Sequence, residues 1–455
     1  MNTNNVETEI KLRASHETLQ ALREHPLLSQ GNNWQRLELG NQYYDTANQD
    51  LARNKVALRV RKDGDQFLQT LKSRGRSVAG FSERDEWNWP LDSNQLDLSR
   101  LTDECWPAAL AGLQKSDLMP VFRTDFVRQK TEISRQVSDA QITLEVALDL
   151  GQVVAGQEQE EICELELELH QGEPTALLAF AAELAHDLPL MPCDISKAER
   201  GYRLFNADSY PVSLPSPSLD GQQNMEQSFA TLAWYLLGSS QRLAEQYRFN
   251  GNWKLIHNWL EQLIELRALL GSLGQAVPRA SSHELRQTLD GLITDWQPLL
   301  SAGEQDPVAR AQAVRQFADE LLHTRWGRWS LQLAQWLLSK GWQQQRNSHG
   351  NQLAQLPLER WMPQQLRAEC SKLHLARWHD NPLGLSEQLP RLLRVLVWLH
   401  HARDLLAIAD ADRLYGELDK LGNLLRQPDA LSRAEQLSQQ VKLITALPAW
   451  KSLAH

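Results

Sequence analysis

Charged residues alternate with uncharged residues at the start of the chain. Glu7, Glu9 and Lys11 lie two residues apart, with Thr8 and Ile10 between them. In an extended strand, residues two apart point to the same face, so the two acids and the base share one side. A face that mixes both signs of charge suits a partner that also carries both, such as a phosphate chain with its metal ion. The opening segment therefore predicts a strand with one functional face.

The same pattern recurs in four further segments before residue 170. These segments place on one face Arg59 and Arg61, Lys72 and Arg74, Glu145 and Asp149, and Glu164 with Glu166 and Glu168. A single strand of this kind is commonly a surface strand, because antiparallel sheets often expose one face to water. Five of them favour a closed barrel, which gathers the charged faces in a polar lumen.

Length and composition limit the class of protein. The chain has 455 residues, which is too long for one ordinary core, so we expect two or three domains. Hydrophobic residues make up 42% and charged residues 23%, as in soluble globular proteins. The net charge of −10 argues against broad nucleic-acid binding.

The sequence also predicts a cytoplasmic protein without a membrane partner. The first residues contain no basic region followed by an apolar one, so no secretory signal is expected. No stretch approaches the roughly 18 apolar residues that a membrane span needs. The four cysteines, Cys105, Cys163, Cys193 and Cys370, have no metal-binding spacing and indicate free thiols in a reducing compartment.

Composition and hydrophobic periodicity change between the two halves of the chain. The segment from Asp208 to Gln223 contains three prolines and several serines, which is typical of a linker. From Met225 onwards, apolar residues recur three and four apart, as in an all-α domain, and most tryptophans there are expected in its core. We predict an α+β protein with a closed antiparallel β-barrel (1–205), a linker (206–224) and an all-α helical-bundle domain (225–455).

Five ordered motifs resemble the CYTH superfamily over roughly residues 1–205. They are Glu7-x-Glu9-x-Lys11, Tyr43-Tyr44-Asp45-Thr46, Arg59-x-Arg61, Thr70-Leu71-Lys72 and Ser196-Lys197-x-x-Arg200-Gly201-Tyr202. The resemblance implies a triphosphate tunnel, which is a closed antiparallel barrel of about eight strands with charged walls. It also implies hydrolysis of inorganic triphosphate with Mg²⁺ or Mn²⁺.

The helical half is similar in position and length to a CHAD domain, a module associated with polyphosphate binding. This resemblance implies polyphosphate as a second partner. The dense His/Arg helix of that family is poorly represented here, since histidines such as His257, His400 and His401 occur in loose clusters. Each of these histidines is more readily explained as structural or solvated than as a ligand.

The CYTH resemblance also implies roles for individual residues. Glu7, Glu9, Glu164 and Glu166 would ligate metal, and the phosphates would be held by Lys11, Arg59, Arg61, Lys72 and Arg128. Three residues would be catalytic: Glu86 and Asp149 as acids in the middle of the barrel, and Lys197 near the attacked phosphate.

Other charges near these motifs have simpler interpretations. Glu168 is expected at the barrel rim or in solvent, and Arg123 and Lys130 are candidates for helpers at the tunnel mouth. Three arginines near a turn are expected on the surface: Arg74, Arg76 and Arg84.

The resulting hypothesis is metal-dependent hydrolysis of inorganic triphosphate to pyrophosphate and phosphate. An adenylate cyclase of the same superfamily and a non-enzymatic polyphosphate-binding protein remain alternatives. We expect Glu9→Gln to remove activity without harming folding, because two neighbouring acids repel each other. We also expect the barrel to carry the chemistry without the helical half.

Overall fold

A computed structural model describes most of the chain. The described residues are 6–28, 33–73, 75–137, 140–209, 213–320, 323–382, 384–406, 408–427 and 433–454. Arg74, one of the three arginines expected on the surface, lies outside these residues.

Ten strands form one antiparallel sheet in the first half of the chain. They are β1 (Val6–Arg13), β2 (Gln35–Asp45), β3 (Val56–Asp63), β4 (Gln66–Ser73), β5 (Arg76–Val78), β6 (Phe81–Leu91), β7 (Met119–Val137), β8 (Ala140–Ala155), β9 (Glu158–Gln171) and β10 (Met191–Pro192). The order is β10-β1-β9-β8-β7-β2-β3-β4-β6-β5, and an additional pairing joins β1 to β6. This pairing closes eight strands into a barrel and confirms the predicted fold class.

The register explains how the charged faces meet. In the β1–β6 ladder Glu7 lies opposite Arg84, and in the β1–β9 ladder Lys11 lies opposite Glu166. Asp149 lies opposite both Arg128 on β7 and Glu164 on β9. Residues opposite each other in a ladder lie on the same face of the sheet, so acids and bases from different strands converge.

Four helices accompany the strands: α1 (His16–Glu24), α2 (Asp50–Arg53), α3 (Pro174–Asp187) and α4 (Lys197–Phe205). The hydroxyl of Ser196 accepts a hydrogen bond from the Glu199 amide and so caps the start of α4. Within α4, Gly201 allows close approach to Phe122, since a Cβ atom there would lie 2.0 Å from the Phe122 ring. The Tyr202 hydroxyl donates to Asp45 at 2.8 Å. These contacts fix α4 and therefore the position of Lys197.

The described residues from Met225 onwards are mainly helical. They contain α5 (Met225–Asn250), α6 (Trp253–Leu270), α7 (His283–Gln305), α8 (Pro307–Glu320), α9 (Thr324–Leu338), α10 (Ser348–Ala354), α11 (Leu358–Leu373), α12 (Leu389–Ala402), α13 (Ala411–Arg426), α14 (Ala434–Ala446) and α15 (Pro448–Ala454). The search of the described residues for a helix long and apolar enough to cross a membrane found none.

Contacts divide the chain into two compact units. We call the first the tunnel unit; it comprises Met1–Ser213, Ala244–Phe249 and Ala318–Gln335. The second is the helical unit, with Leu214–Leu243, Asn250–Phe317 and Trp336–His455. The tunnel unit thus includes the last turns of α5, which lie well beyond the linker expected from the sequence.

Aromatic residues form much of the core of the helical unit. Trp259 packs edge-on against Trp296 and Phe317, with ring centroids 5.7 and 4.9 Å apart. Trp342 and Trp398 are also buried. The predicted core position of these tryptophans is therefore confirmed.

Candidate active site

The lumen face of β1 is occupied by the residues that the alternation indicated. Lys72 Nζ donates to the two carboxylate oxygens of Glu7 at 3.0 and 2.8 Å. Glu9 lies 3.6 Å from Lys11 Nζ, and Lys11 lies 3.4 Å from Glu166. Both Glu9 and Lys11 are buried. The predicted common face of β1 is confirmed by these contacts.

Arg84 is a lumen residue, and its predicted surface position is wrong. Its side chain is 16% exposed and donates to Glu7 at 3.0 Å and to Glu9 at 2.5 Å. Burial lowers the pKa of Arg84, but these two carboxylates outweigh burial and raise it. The signal was present in the sequence, because Arg84 and Glu86 are two residues apart and share a face of β6.

A second group of acids surrounds Lys197. Its ammonium nitrogen lies 2.6 Å from Asp149, 2.5 Å from Glu164 and 2.9 Å from Glu166. Arg128 donates to both oxygens of Asp149, at 2.8 and 2.7 Å, and to Glu166 at 2.5 Å. Asp149 and Glu164 are completely buried. The structure therefore groups three carboxylates from β8 and β9 around one cationic centre.

Neighbouring cations keep two of these acids, Glu164 and Glu166, ionised. Burial raises the pKa of Glu164, but Arg200 and Lys197 outweigh it and lower the pKa to about 2. Burial acts in the same way on Glu166, and Lys197, Lys11 and Arg128 lower its pKa well below the usual range. Glu164 and Glu166 are thus anionic at neutral pH.

The three carboxylates fit a divalent cation. One oxygen from each of Asp149, Glu164 and Glu166 lies within 4.8 Å of the others. Mg²⁺ and Mn²⁺ both favour oxygen ligands, and Mg²⁺ is commonly held by carboxylates together with substrate phosphates. Lys197 Nζ contacts all three acids, so its ammonium occupies the position that such a cation would take. Glu7 and Glu9 lie in a separate group with Lys72 and Arg84.

Two lumen arginines differ from the other cations. Among the described residues, Arg59 and Arg61 form no ion pair: Arg59 donates to the Tyr43 hydroxyl at 3.2 Å, and Arg61 donates to Asn41 at 2.9 Å. Burial, followed by repulsion from Arg59 and Arg128, lowers the pKa of Arg61 to about 10. The lumen therefore contains guanidinium charge that the described carboxylates do not neutralise directly.

The remaining predicted acids and bases occupy distinct places. Glu86 forms an ion pair with Lys72, and Asn88 donates to it at 2.8 Å. Glu168 is 36% exposed, in keeping with a rim position. Burial, followed by repulsion from Glu7 and Glu145, raises its pKa to about 7.

The two proposed helpers at the tunnel mouth lie on opposite faces of β7. Lys130 has the same strand parity as Arg128 and contacts Glu145 at 2.8 Å. Arg123 has the opposite parity, is 56% exposed and pairs with Asp125. The expected role of Arg123 in the tunnel is therefore wrong, and Arg76 is exposed as expected.

Arg200 lies in the last of the five motifs, but the sequence alone assigns it no role. It is completely buried and forms an ion pair with Glu164. It also donates to the backbone carbonyl of Glu161 at 3.0 Å. Its position one turn after Lys197 on α4 places both cations against the same carboxylate, and this helical spacing could have indicated the role.

A further acid and histidine group lies in the helical unit. His400 Nδ1 and His401 Nε2 lie 3.1 and 3.0 Å from the same oxygen of Glu265. The two rings stack at 4.5 Å with an interplanar angle of 8°. Ring nitrogens direct their lone pairs within the ring plane, so parallel rings do not aim both nitrogens at one ion. These histidines are side chains of the helical unit that lie against Glu265.

Known proteins resemble the first half of the chain. Residues 5–202 match the CYTH domain family. This part of the chain is therefore similar to CYTH domains. Over 170 residues it is 35% identical to an inorganic triphosphatase from Haemophilus influenzae. That match spans 37% of this chain and 47% of the relative, so it covers about half of the relative's length.

Some solved structures are also similar to part of this chain. One is an adenylyl cyclase candidate from Hippeastrum described as having a dominant triphosphatase activity. It has 20% identity and a TM-score of 0.32, over 44% of this chain and 96% of that one. Another, from Pyrococcus horikoshii, has 18% identity and a TM-score of 0.28, over 45% and 99% of the two chains.

Proposed function

We propose that the barrel catalyses metal-dependent hydrolysis of inorganic triphosphate to pyrophosphate and phosphate. The observation that carries the proposal is the division of charge in the lumen. Arg59 and Arg61 have no carboxylate partner among the described ion pairs, whereas Asp149, Glu164 and Glu166 converge on one cationic position. A phosphate polyanion would neutralise the two arginines, and a divalent cation would neutralise the three carboxylates. The similar protein from Haemophilus influenzae is named an inorganic triphosphatase, which supports the same substrate here.

The basic residues would bind the phosphate chain. Guanidinium groups match phosphate oxygens with two parallel hydrogen bonds, so Arg59 and Arg61 are suited to the uncompensated negative charge. Lys11, Lys72 and Arg128 are each paired with acids in the structure. We propose that these three cations share their hydrogen bonds with the substrate when it enters.

The acid cluster would hold the metal. We propose Asp149, Glu164 and Glu166 as its ligands, with Glu7 and Glu9 as candidates for a second position. A bound Mg²⁺ or Mn²⁺ would neutralise charge on the phosphates and lower the pKa of a bound water. In the reaction, water supplies an oxygen to the terminal phosphorus. The bond to the bridging oxygen breaks, and pyrophosphate leaves.

Metal in the acid cluster would require Lys197 to leave its three carboxylate partners. An ammonium group and a divalent cation cannot occupy the same position among three carboxylates, because like charges repel. We propose that, with the three carboxylates holding a metal, the Lys197 ammonium group would contact the phosphates instead. There it would stabilise the negative charge of the transferring group as a catalytic residue. Glu86, paired with Lys72, would keep that lysine in place.

A substrate panel tests this function. Purified protein would be incubated with triphosphate, pyrophosphate, ATP and thiamine triphosphate, each with Mg²⁺, Mn²⁺ or excess EDTA. We expect triphosphate to be cleaved fastest, and we expect EDTA to abolish cleavage. Formation of cyclic AMP from ATP faster than cleavage of triphosphate would instead favour the cyclase. No turnover of any substrate would favour a binding protein.

For the helical unit we propose weak binding of long-chain polyphosphate. Five arginines are close enough to repel one another. Burial, followed by Arg267 and Arg279, lowers the pKa of Arg286, although Asp290 raises it. The pKa of Arg394 is also lowered by burial, although Glu369 raises it, and Arg279 and Arg391 add to the lowering. Such mutual repulsion favours an added polyanion.

Calorimetry at physiological salt tests polyphosphate binding. Arg279→Ala should weaken it, because Arg279 repels both Arg286 and Arg394. Arg360→Ala, which changes an exposed arginine on α11, should leave it unchanged. Equal affinity in all three proteins, or no heat of binding, would refute the proposal.

We also propose a cytoplasmic location. All four cysteines are buried free thiols. Thiols that remain unpaired are typical of a reducing compartment.

A further inference from the structure

A carboxylate near the end of α5 contacts the barrel. Glu245 lies in residues 244–249, which belong to the tunnel unit although they follow the linker. Arg13 Nε donates to Glu245 at 2.6 Å, and the two side chains are 6% and 3% exposed. Burial lowers the pKa of Arg13, but Glu245 is the largest of the contributions that raise it. This ion pair joins β1 to a helix more than 200 residues later.

Arg13 links Glu245 to a largely buried chain of ion pairs. Nη2 of Arg13 lies 3.1 Å from Glu160 on β9. The same carboxylate lies 2.8 Å from Arg203 and 3.7 Å from Arg200. Glu160 therefore contacts three guanidinium groups at once. Glu245 supplies a second carboxylate for Arg13, so Arg13 depends less on Glu160.

The chain leads to the proposed metal ligands. Arg200 is completely buried and forms an ion pair with Glu164, one of the three clustered carboxylates. The sequence of contacts is thus Glu245, Arg13, Glu160, Arg200 and Glu164. In such a network each charged side chain is held by its neighbours of opposite charge. Loss of one side chain therefore changes which hydrogen bonds its neighbours form.

A second contact from the same segment reaches this network. The guanidinium group of Arg203 lies over the Phe249 ring, 4.1 Å from its centroid. Glu245 and Phe249 are four residues apart, so they lie on the same face of α5. One turn of this helix therefore contacts two of the three arginines around Glu160.

We propose that Glu245 is a positioning residue for the barrel's metal site, acting through Arg13, Glu160 and Arg200 on the carboxylate of Glu164. The proposal rests on the proposed triphosphatase function. It gives residues 244–249 a part in the chemistry, in contrast to the expectation that the barrel acts without the helical half. A barrel that ends at the linker would retain Arg13 and Arg203 but lose both of their partners on α5.

The test compares two buried glutamates of α5 in the full-length protein. Glu245→Gln should lower kcat for triphosphate about tenfold and weaken Mn²⁺ binding several-fold, as for other residues that orient metal ligands. The KM for triphosphate should change less than about twofold, since the phosphate-binding arginines are untouched. Phe249→Leu, which changes no formal charge, should act in the same direction with a smaller effect.

Glu226→Gln is the matched control. Glu226 lies on the same helix, is buried and accepts from Trp342 at 2.6 Å, but it has no described contact with the Arg13 network. Its replacement should leave kcat and Mn²⁺ affinity unchanged. Wild-type values in Glu245→Gln would overturn the proposal. Equal losses of kcat and Mn²⁺ affinity in both variants, in proportion to their drop in melting temperature, would also overturn it. Such losses would indicate a general structural effect.

The same experiment separates this proposal from the function on which it rests. Wild-type turnover of triphosphate decides the proposed function by itself. If the wild type is inactive, the Mn²⁺ titration still decides the role of Glu245. Weaker Mn²⁺ binding in Glu245→Gln alone would support the positioning role, and unchanged binding would refute it.

Discussion

Glu166→Gln should lower kcat for triphosphate about 10²- to 10³-fold, the loss typical of removing one main electrostatic group from an active site. Glu166 contacts Lys197, Lys11 and Arg128 and is one of the three clustered carboxylates. Glutamine keeps the shape of the side chain but removes its charge. The measurement is steady-state release of phosphate at saturating Mg²⁺.

Glu158→Gln is the control for this variant. Glu158 lies on the same strand, β9, and is exposed. Its kcat should equal that of the wild type. If Glu166→Gln keeps more than half of the wild-type kcat, the acid cluster does not take part in the chemistry.

The same variant should change stability with a defined pH dependence. Lys197, Lys11 and Arg128 lower the pKa of Glu166 well below its ordinary value of 4.5, despite the opposing effect of burial. A lowered folded-state pKa adds stability at neutral pH, and this stability is lost as pH falls below about 4.5. The variant should therefore melt below the wild type at pH 7, and the difference should shrink in acid.

Arg61→Ala should raise KM for triphosphate about 10- to 100-fold, since a charge-assisted hydrogen bond contributes about 1.5–3 kcal/mol. The melting temperature without substrate should stay equal or rise. Repulsion from Arg59 and Arg128 contributes to the lowered pKa of Arg61, so removal of its charge relieves the folded state. Loss of substrate affinity without loss of stability is the expected signature of a binding residue.

Arg123→Ala is the control for the arginine variant. Arg123 lies on a barrel strand with the parity opposite to Arg128 and is exposed. Its KM should remain at the wild-type value. A wild-type KM in Arg61→Ala, or an equal rise in both variants, would contradict the assignment of Arg61 to phosphate.

The sequence predicted the faces of the strands better than the partners across them. Alternation placed Glu7, Glu9 and Lys11 on one face, because strand periodicity is a local property. It did not show that Asp149 lies opposite Glu164, since register depends on pairing between strands that the sequence does not specify. The converging acid cluster therefore required the structure.

Two local signals at Arg84 point to different locations. Its nearness to a turn suggested a surface charge, although its spacing from Glu86 indicated the lumen. Its pairing with Glu7 and Glu9 also removes the reason for expecting Glu9→Gln to be harmless to folding. That change would leave Arg84 and Lys11 with one carboxylate partner fewer, and a buried cation without its partner is costly.

The contact between Glu245 and Arg13 could not be predicted from sequence patterns. Residues 244–249 continue a long helix, and nothing in their periodicity distinguishes them from the turns before them. Their place in the tunnel unit depends on a tertiary contact with β1, more than 200 residues earlier in the chain. Local propensity does not determine such a contact.

The most direct test of the proposed function is ³¹P NMR of inorganic triphosphate incubated with the full-length protein and Mg²⁺. Hydrolysis at a terminal phosphate predicts one pyrophosphate and one phosphate for each triphosphate consumed. It also predicts no reaction in excess EDTA and a greatly slowed reaction with Glu166→Gln. Unchanged triphosphate resonances with the wild type and Mg²⁺, or equal turnover with EDTA, would contradict the account.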